Sequence, residues 1–397
     1  MTPPAPARGQ LPRLARRVDA IAPFRVMELV KRASALAAAG RPVIQMNIGE
    51  PDFTAPPAVV AALKQAVDRG LSQYTPALGI APLRQAIARD LGERYGVDVA
   101  PSRIVVTAGA SAALLLACCA LVEVGDRVLM TDPSYPCNRH FVSAFDGIPD
   151  PVAVGRDTRF QMTRALVEAH WRTDTRGALL ATPSNPTGTC LAWSELCGIV
   201  EAVRERGGFS LIDEIYLGLS YGERPRSALE LGDDVIVCNS FSKLFSMTGW
   251  RLGWLVVPEG AVPVFEKLAQ NLFICPSALA QHAALGCFEA ESQAIFESRR
   301  LELKARRDFL VPALEDAGLD IPVTPDGAFY IWIDCERHGM TSLELADRLL
   351  DEAYVSLVPG HDFGDHHADR YLRLSYATAR PLLEEAVRRI RSLLVSA

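Results

Sequence analysis

The stretch VIVCNSFSKLFSMTGWRLGW, residues 235–254, joins a β-branched run to a cluster of hydroxyls and glycines, with Lys243 where the strand gives way to a loop. The chain has five lysines among its 397 residues. The other four, Lys31, Lys64, Lys267 and Lys304, lie in stretches with helical apolar spacing and read as solvated helix faces. Lys243 sits instead where a chain leaving a strand exposes backbone donors and short side chains, which is where a reactive amine belongs.

Outward from this segment the chain alternates strand and helix patterns. RIVVTAG, DRVLMTDPSYP, GALLATPSNPTG, FSLIDEIY and DVIVCNSFSK read as strands running into turns, and SAALLLACCALV and LAWSELCGIVEAVRERGG as helices between them. Short strands separated by helices imply right-handed βαβ crossovers and an α/β fold with a mainly parallel sheet. Ligands of such a sheet bind at the carboxyl ends of its strands, and Gly109, Tyr135, Asn185, Asp213 and Lys243 each end or follow one. Beyond a long helical region, GAFYIWIDC, YVSLVPG and YLRLSYA read as strands of a smaller α+β unit closed by PLLEEAVRRIRSLLVSA. The expected division is an arm and part of the small domain over 1–55, a large cofactor-binding domain over 56–290 and a C-terminal small domain over 291–397.

A formal charge of −6 argues against nucleic acid, whose phosphates require a concentrated basic face. The longest apolar run, SAALLLACCALVEV, is shorter than the ~20 residues that cross a bilayer, so no membrane span is expected. Nine scattered cysteines without a CxxC pair suit a reducing cytoplasm, and residues 1–18, Pro-rich with four Arg and no acid, read as a flexible arm.

A lysine that forms a Schiff base must be partly unprotonated near neutral pH, which burial or a nearby cation achieves. Arg251, eight residues on, is a planar cation able to bind phosphate bidentately, and Ser240 and Ser242 flank the turn with hydroxyls. Together they describe a phosphate-bearing carbonyl cofactor held through an imine. Gly109, Ala110 and Ser111 lie between a strand and a helix, where backbone N–H groups can meet an anion, although a tight βα turn alone would need the same small residues. Asp213, after an apolar strand, can hold a protonated pyridine nitrogen, with Tyr216 facing the same crevice and Glu214 the other side. Asn185, in the turn PSNPTGT, can donate to a ring oxygen. Tyr135 stacks on a flat ring or packs on the core. Arg373 alternates with Leu372 and Leu374, and an inward arginine among apolar neighbours calls for an anion such as a substrate carboxylate.

Nine segments, NIGEPDF, YTPALGIAPLRQAIA, VTAGASAAL, DPSYP, PSNPTG, DEIY, SFSKLFSMTGWRLGW, DGAFYIW and YLRLSYA, stand in the order in which they occur in class I aminotransferases, and the chain resembles the prokaryotic aspartate-aminotransferase-like branch of that family. The resemblance implies a seven-stranded sheet between helices, pyridoxal 5'-phosphate as cofactor, amino acids and 2-oxo acids as substrates, and a homodimer with shared active sites. It makes Lys243 the cofactor-bound lysine and proton shuttle, Asp213 the partner of the ring nitrogen, Asn185 and Tyr216 donors to the ring oxygen, and Tyr135 the stacking aromatic. Ser240, Ser242, Arg251 and the Gly109-Ala110-Ser111 turn resemble the phosphate cup, Arg373 the α-carboxylate clamp, Gly49 the residue that closes over it, and Tyr74 a tyrosine reaching the neighbouring subunit's cofactor. The phosphate turn departs from relatives that carry a second Gly, Lys or Gln there. No residue is assigned to a distal substrate carboxylate, for which Arg139 is the one candidate, and the His-rich loop HDFGDHHADR reads as solvated rather than metal-binding. Two other chemistries use a lysine in this way: a C–S β-lyase on the same scaffold, and a cofactor-free Schiff-base aldolase that would have no use for the phosphate-binding groups.

Overall fold

The computed structural model describes residues 13–15, 17–18, 21, 25–222 and 224–395; most of the arm read over 1–18 lies outside them. A seven-stranded sheet runs in the spatial order Ile104–Thr107, Gly253–Val256, Ile236–Ser240, Phe209–Asp213, Thr175–Ala181, Arg127–Asp132, Ile148–Ala153. All neighbours are parallel except Gly253–Val256, which is antiparallel to the strands on both sides.

Side chains alternate across this sheet, as a two-residue period requires. Val128, Met130, Leu179, Leu211, Ile236 and Cys238 pack on one face with the helices Ala110–Leu121 and Val262–Leu272. Leu129, Ala178, Leu180, Ile212 and Val237 pack on the other with the helix Trp193–Glu205. Buried on both faces, the strands read as nearly continuous apolar runs, with most polar residues towards the strand ends. Asp213 and Ser240 are the last residues of their strands, so the sheet brings its polar side chains to one edge.

A smaller antiparallel sheet holds Val358–Pro359, Tyr371–Ser375 and Tyr330–Asp334, with Arg373 opposite both Val358 and Trp332. Ile44–Gln45 pairs in parallel with Val355–Ser356, so the segment leading into NIGEPDF is tied to the C-terminal part of the chain. That tie carries Asn47, Gly49 and Glu50 over the carboxyl edge of the large sheet. Among the described residues no helix is long and apolar enough to cross a membrane.

Candidate active site

A cleft of about 560 Å³ opens at this edge, and Ala110, Ser111, Tyr135, Asn185, Asp213, Tyr216, Ser242, Lys243, Arg251, Gly49 and Arg373 all line it. Eleven residues singled out in the sequence thus meet in one hollow. Ser240, Gly109, Tyr74 and Arg139 are not among the lining residues. Ser240 is fully buried behind the wall, its hydroxyl accepting from the Ser242 N–H and facing the Leu252 carbonyl, each at 3.0 Å, so it braces the turn. Tyr74 is 82% exposed on its own chain.

Lys243 is part-buried, and its Nζ donates to the Gly49 carbonyl at 2.6 Å. Burial lowers its pKa to about 8; Arg373 and Arg251 push the same way, while Glu50 and Asp213 oppose. Near neutral pH the amine is therefore mostly charged but gives up its proton far more readily than a solvated lysine. Asp213 is moved in the opposite direction, up to about 6, by burial first, against the Ile215 N–H that donates to it at 3.1 Å and the charge of Lys243. Above that pH it is a buried anion with a single hydrogen bond from the backbone, a group that gains from a cation placed in the cleft.

The helix Ala110–Leu121 begins at the end of the strand Ile104–Thr107 and directs its first N–H groups into the cleft. Gly109 precedes it with φ +83°, and a Cβ there would lie 2.5 Å from Arg251 Nη2. Only glycine both adopts this backbone and lets the guanidinium lie against it. The result is a cradle of N–H groups, the Ser111 and Ser242 hydroxyls and one arginine, with the donors a phosphate needs.

Arg373 is buried and lies between two rings, 4.6 Å from the centroid of Tyr330 and 4.8 Å from that of Phe363. It donates to Asn185 Oδ1 at 2.9 Å and to the Asn47 carbonyl at 2.7 Å, while its Nε has no acceptor among the described residues. Burial opposes its charge; Asp362 favours it, but both acceptors of its hydrogen bonds are neutral, so it keeps donor capacity for an anion. With the amide oxygen of Asn185 turned to Arg373, the amide nitrogen remains as the donor this residue can offer a ring oxygen.

Several members of the site carried no signal of their own in the sequence. Tyr330 hydrogen-bonds through its hydroxyl to that of Tyr216 at 2.8 Å and would stand 2.8 Å from a Cβ at position 49, which makes Gly49 a requirement of close approach. It lies in the apolar run FYIWI, where nothing marks one aromatic as facing a cavity. Asn47 acts through its backbone carbonyl, which no side-chain pattern reveals. Glu50 is paired with the Thr248 hydroxyl and bears on Lys243. In the loop 361–370, His361 pairs with Asp369 at 3.0 Å, and no group of three or more His, Cys, Asp or Glu able to hold a metal occurs among the described residues.

An amine, a buried carboxylate, a cluster of donors suited to an anion and a buried arginine converge in this cleft. Residues 41–390 match the family Aminotransferase class I and II, and the chain belongs to that family. It is 36% identical over 378 residues to valine–pyruvate aminotransferase of Mycobacterium tuberculosis, covering 95% of this chain and 97% of the relative, and 33% identical over 386 residues to an aspartate aminotransferase of Thermotoga maritima, covering 96% and 100%. The crystal structure of an aminotransferase from Mycobacterium tuberculosis superposes with a TM-score of 0.93 at 36% identity, covering 98% of this chain and 100% of the other. The aspartate aminotransferase of Thermus thermophilus with maleate superposes at 0.91 and 30% identity, covering 97% and 100%. This chain is an aminotransferase, of a family that uses pyridoxal phosphate.

Proposed function

We propose that the cleft binds pyridoxal 5'-phosphate, attached through Lys243 Nζ, and moves an amino group from an amino acid to a 2-oxo acid in two half-reactions of the ping-pong kind. The residues fit the group. Arg251, Ser242 and the N–H groups at Ala110 and Ser111 suit the phosphate, Asp213 the ring nitrogen, Asn185 and Tyr216 the ring oxygen, and Tyr135 the ring face. Ser240 supports the phosphate end at one remove, through Ser242. When bound, the cofactor supplies an electron sink for the pair left at the substrate Cα.

Arg373 then takes the α-carboxylate, exchanging neutral acceptors for an anion and orienting the Cα–H bond towards Lys243. Lys243 Nζ, once released, removes the Cα proton and holds it; a pKa near 8 leaves it able both to take and to return that proton. Gly49 and Tyr330 close over the substrate and exclude water. We further propose a homodimer in which the exposed Tyr74 reaches the partner's phosphate site, a cytoplasmic location consistent with nine unpaired cysteines, and the domain division at residues 55 and 290.

The observation that carries this reading is one part-buried amine, shifted to about 8, in a cleft that also holds Asp213, Arg251 and Arg373. Lys243→Ala, purified with added cofactor, is expected to lack the visible absorption of the lysine-bound form and to complete no half-reaction. Full turnover by that variant would refute the assignment.

A further inference from the structure

Among the described residues that line the cleft, the cations are Lys243, Arg251 and Arg373. If the proposed function holds, on which this inference rests, each is already engaged, by amine chemistry, phosphate and α-carboxylate in turn. Apolar side chains form one part of the wall left for a substrate side chain. Met27 and Val30, one turn apart on the helix Arg25–Ala38, face the cleft with Ile48 and Phe363. On its own chain Met27 is 53% and Ile48 39% exposed, so large apolar side chains lie beside the cavity rather than in the core.

Phe363 is the fixed member of this group. Its carbonyl accepts from the Ser134 N–H at 2.8 Å, and the Asp132 carboxylate accepts from the N–H groups of Asp365 and His366 at 3.0 and 3.2 Å, which ties the loop to the strand end before Tyr135. Its ring lies on Arg373, so apolar surface begins directly beside the expected position of the α-carboxylate. The acids on the same wall, Glu50 and Asp362, bear electrostatically on Lys243 and Arg373 respectively.

We propose that this chain takes amino donors with uncharged, apolar side chains and discriminates against dicarboxylic donors, with Met27, Val30, Ile48 and Phe363 as the side-chain pocket. A second carboxylate on the substrate would leave water for apolar contacts, near two like charges and without a cation of its own. An apolar side chain would instead cover Met27 and Ile48 and remove their exposed surface from water.

The test uses the full chain loaded with pyridoxal phosphate and follows the first half-reaction by the change in cofactor absorbance, without an acceptor. Leucine, methionine and phenylalanine should react with kcat/KM roughly 100-fold above aspartate and glutamate. Aspartate or glutamate reacting as well as leucine, for instance through a cation supplied by a second copy of the chain, would overturn the proposal, as would a preference for lysine. Absorbance unchanged by every amino acid would remove the transfer reading itself, a distinguishable outcome. Ile48→Arg, which places a cation on the cleft wall at a partly exposed position, should raise the glutamate rate roughly 10-fold and lower that of leucine. An unchanged ratio in that variant would exclude Ile48 from the pocket.

Discussion

Arg306 and Arg373 are each 5% exposed, and their surroundings differ in one respect. Arg306, on the long helix Ala290–Asp316, donates from Nη1 to both oxygens of Asp52 at 2.8 and 3.0 Å and from Nε to Glu302 at 3.0 Å. Arg373 reaches only an amide oxygen and a backbone carbonyl. Among the described residues the chain gives the first hydrogen-bonded carboxylates and the second none, although Asp362 acts on the charge of Arg373. A buried arginine paired with its own carboxylates fastens two segments together; one hydrogen-bonded to neutral acceptors at a cleft keeps donor capacity for an anion, the role proposed for Arg373.

This contrast can be broken by exchanging the effects of the two residues. Arg373→Gln is expected to lower kcat/KM by roughly 1000-fold, about 4 kcal/mol, through loss of a charge-assisted carboxylate clamp, with little change in thermal stability. Arg306→Met should leave kcat/KM close to that of the parent and lower stability by about 2 kcal/mol, less than for a fully enclosed pair because Asp52 and Glu302 keep contact with water. Steady-state kinetics and denaturant melts on both variants separate the roles. A stability loss without a kinetic one at Arg373 would contradict the reading.

A third arginine sharpens the comparison. Arg251 lies against Gly109 on the cleft wall, and Gly109→Ala would place a methyl group 2.5 Å from its Nη2 and force a non-glycine residue to φ +83°. The expected result is roughly 10-fold weaker cofactor binding, about 1.4 kcal/mol, measured by titration of apoprotein, with a smaller effect on the melt. The mildest effect is that of pH. Because Lys243 is lowered to about 8, its neutral fraction rises as pH rises through that value, so the rate of cofactor attachment should climb between pH 6 and 8 and level off above. An ordinary lysine would keep gaining up to about pH 10.4. Below about 6 Asp213 takes up a proton and loses its hold on a protonated ring nitrogen, so cofactor retention should weaken on the acid side.

How far the sequence disclosed this arrangement follows from where its polar residues fall. Asp213 and Lys243 stand out because apolar strands precede them, and a polar residue after such a run has few places to be except the strand's end. Two strands of the large sheet were not legible in the pattern. IPDPVA carries Pro149 and Pro151, which mask a strand pattern, and it forms the edge Ile148–Ala153, where missing N–H donors are tolerated. Gly253–Val256 is four residues long and directly follows the lysine loop, so its run merges with the turn before it. The site's remaining members depend on long-range contact. Asn47 and Arg373 are 326 positions apart, and Tyr216 and Tyr330 are 114, distances over which periodicity carries no information.

Lys243, alone among the five lysines, is the proposed covalent seat of the cofactor, and trapping tests this assignment without relying on turnover. The full-length protein loaded with pyridoxal phosphate is reduced with borohydride, digested and mapped by mass spectrometry. The phosphopyridoxyl adduct is expected on the peptide containing Lys243 and on none of those containing Lys31, Lys64, Lys267 or Lys304. An adduct confined to any of those four, or no adduct under conditions that support turnover, would contradict it.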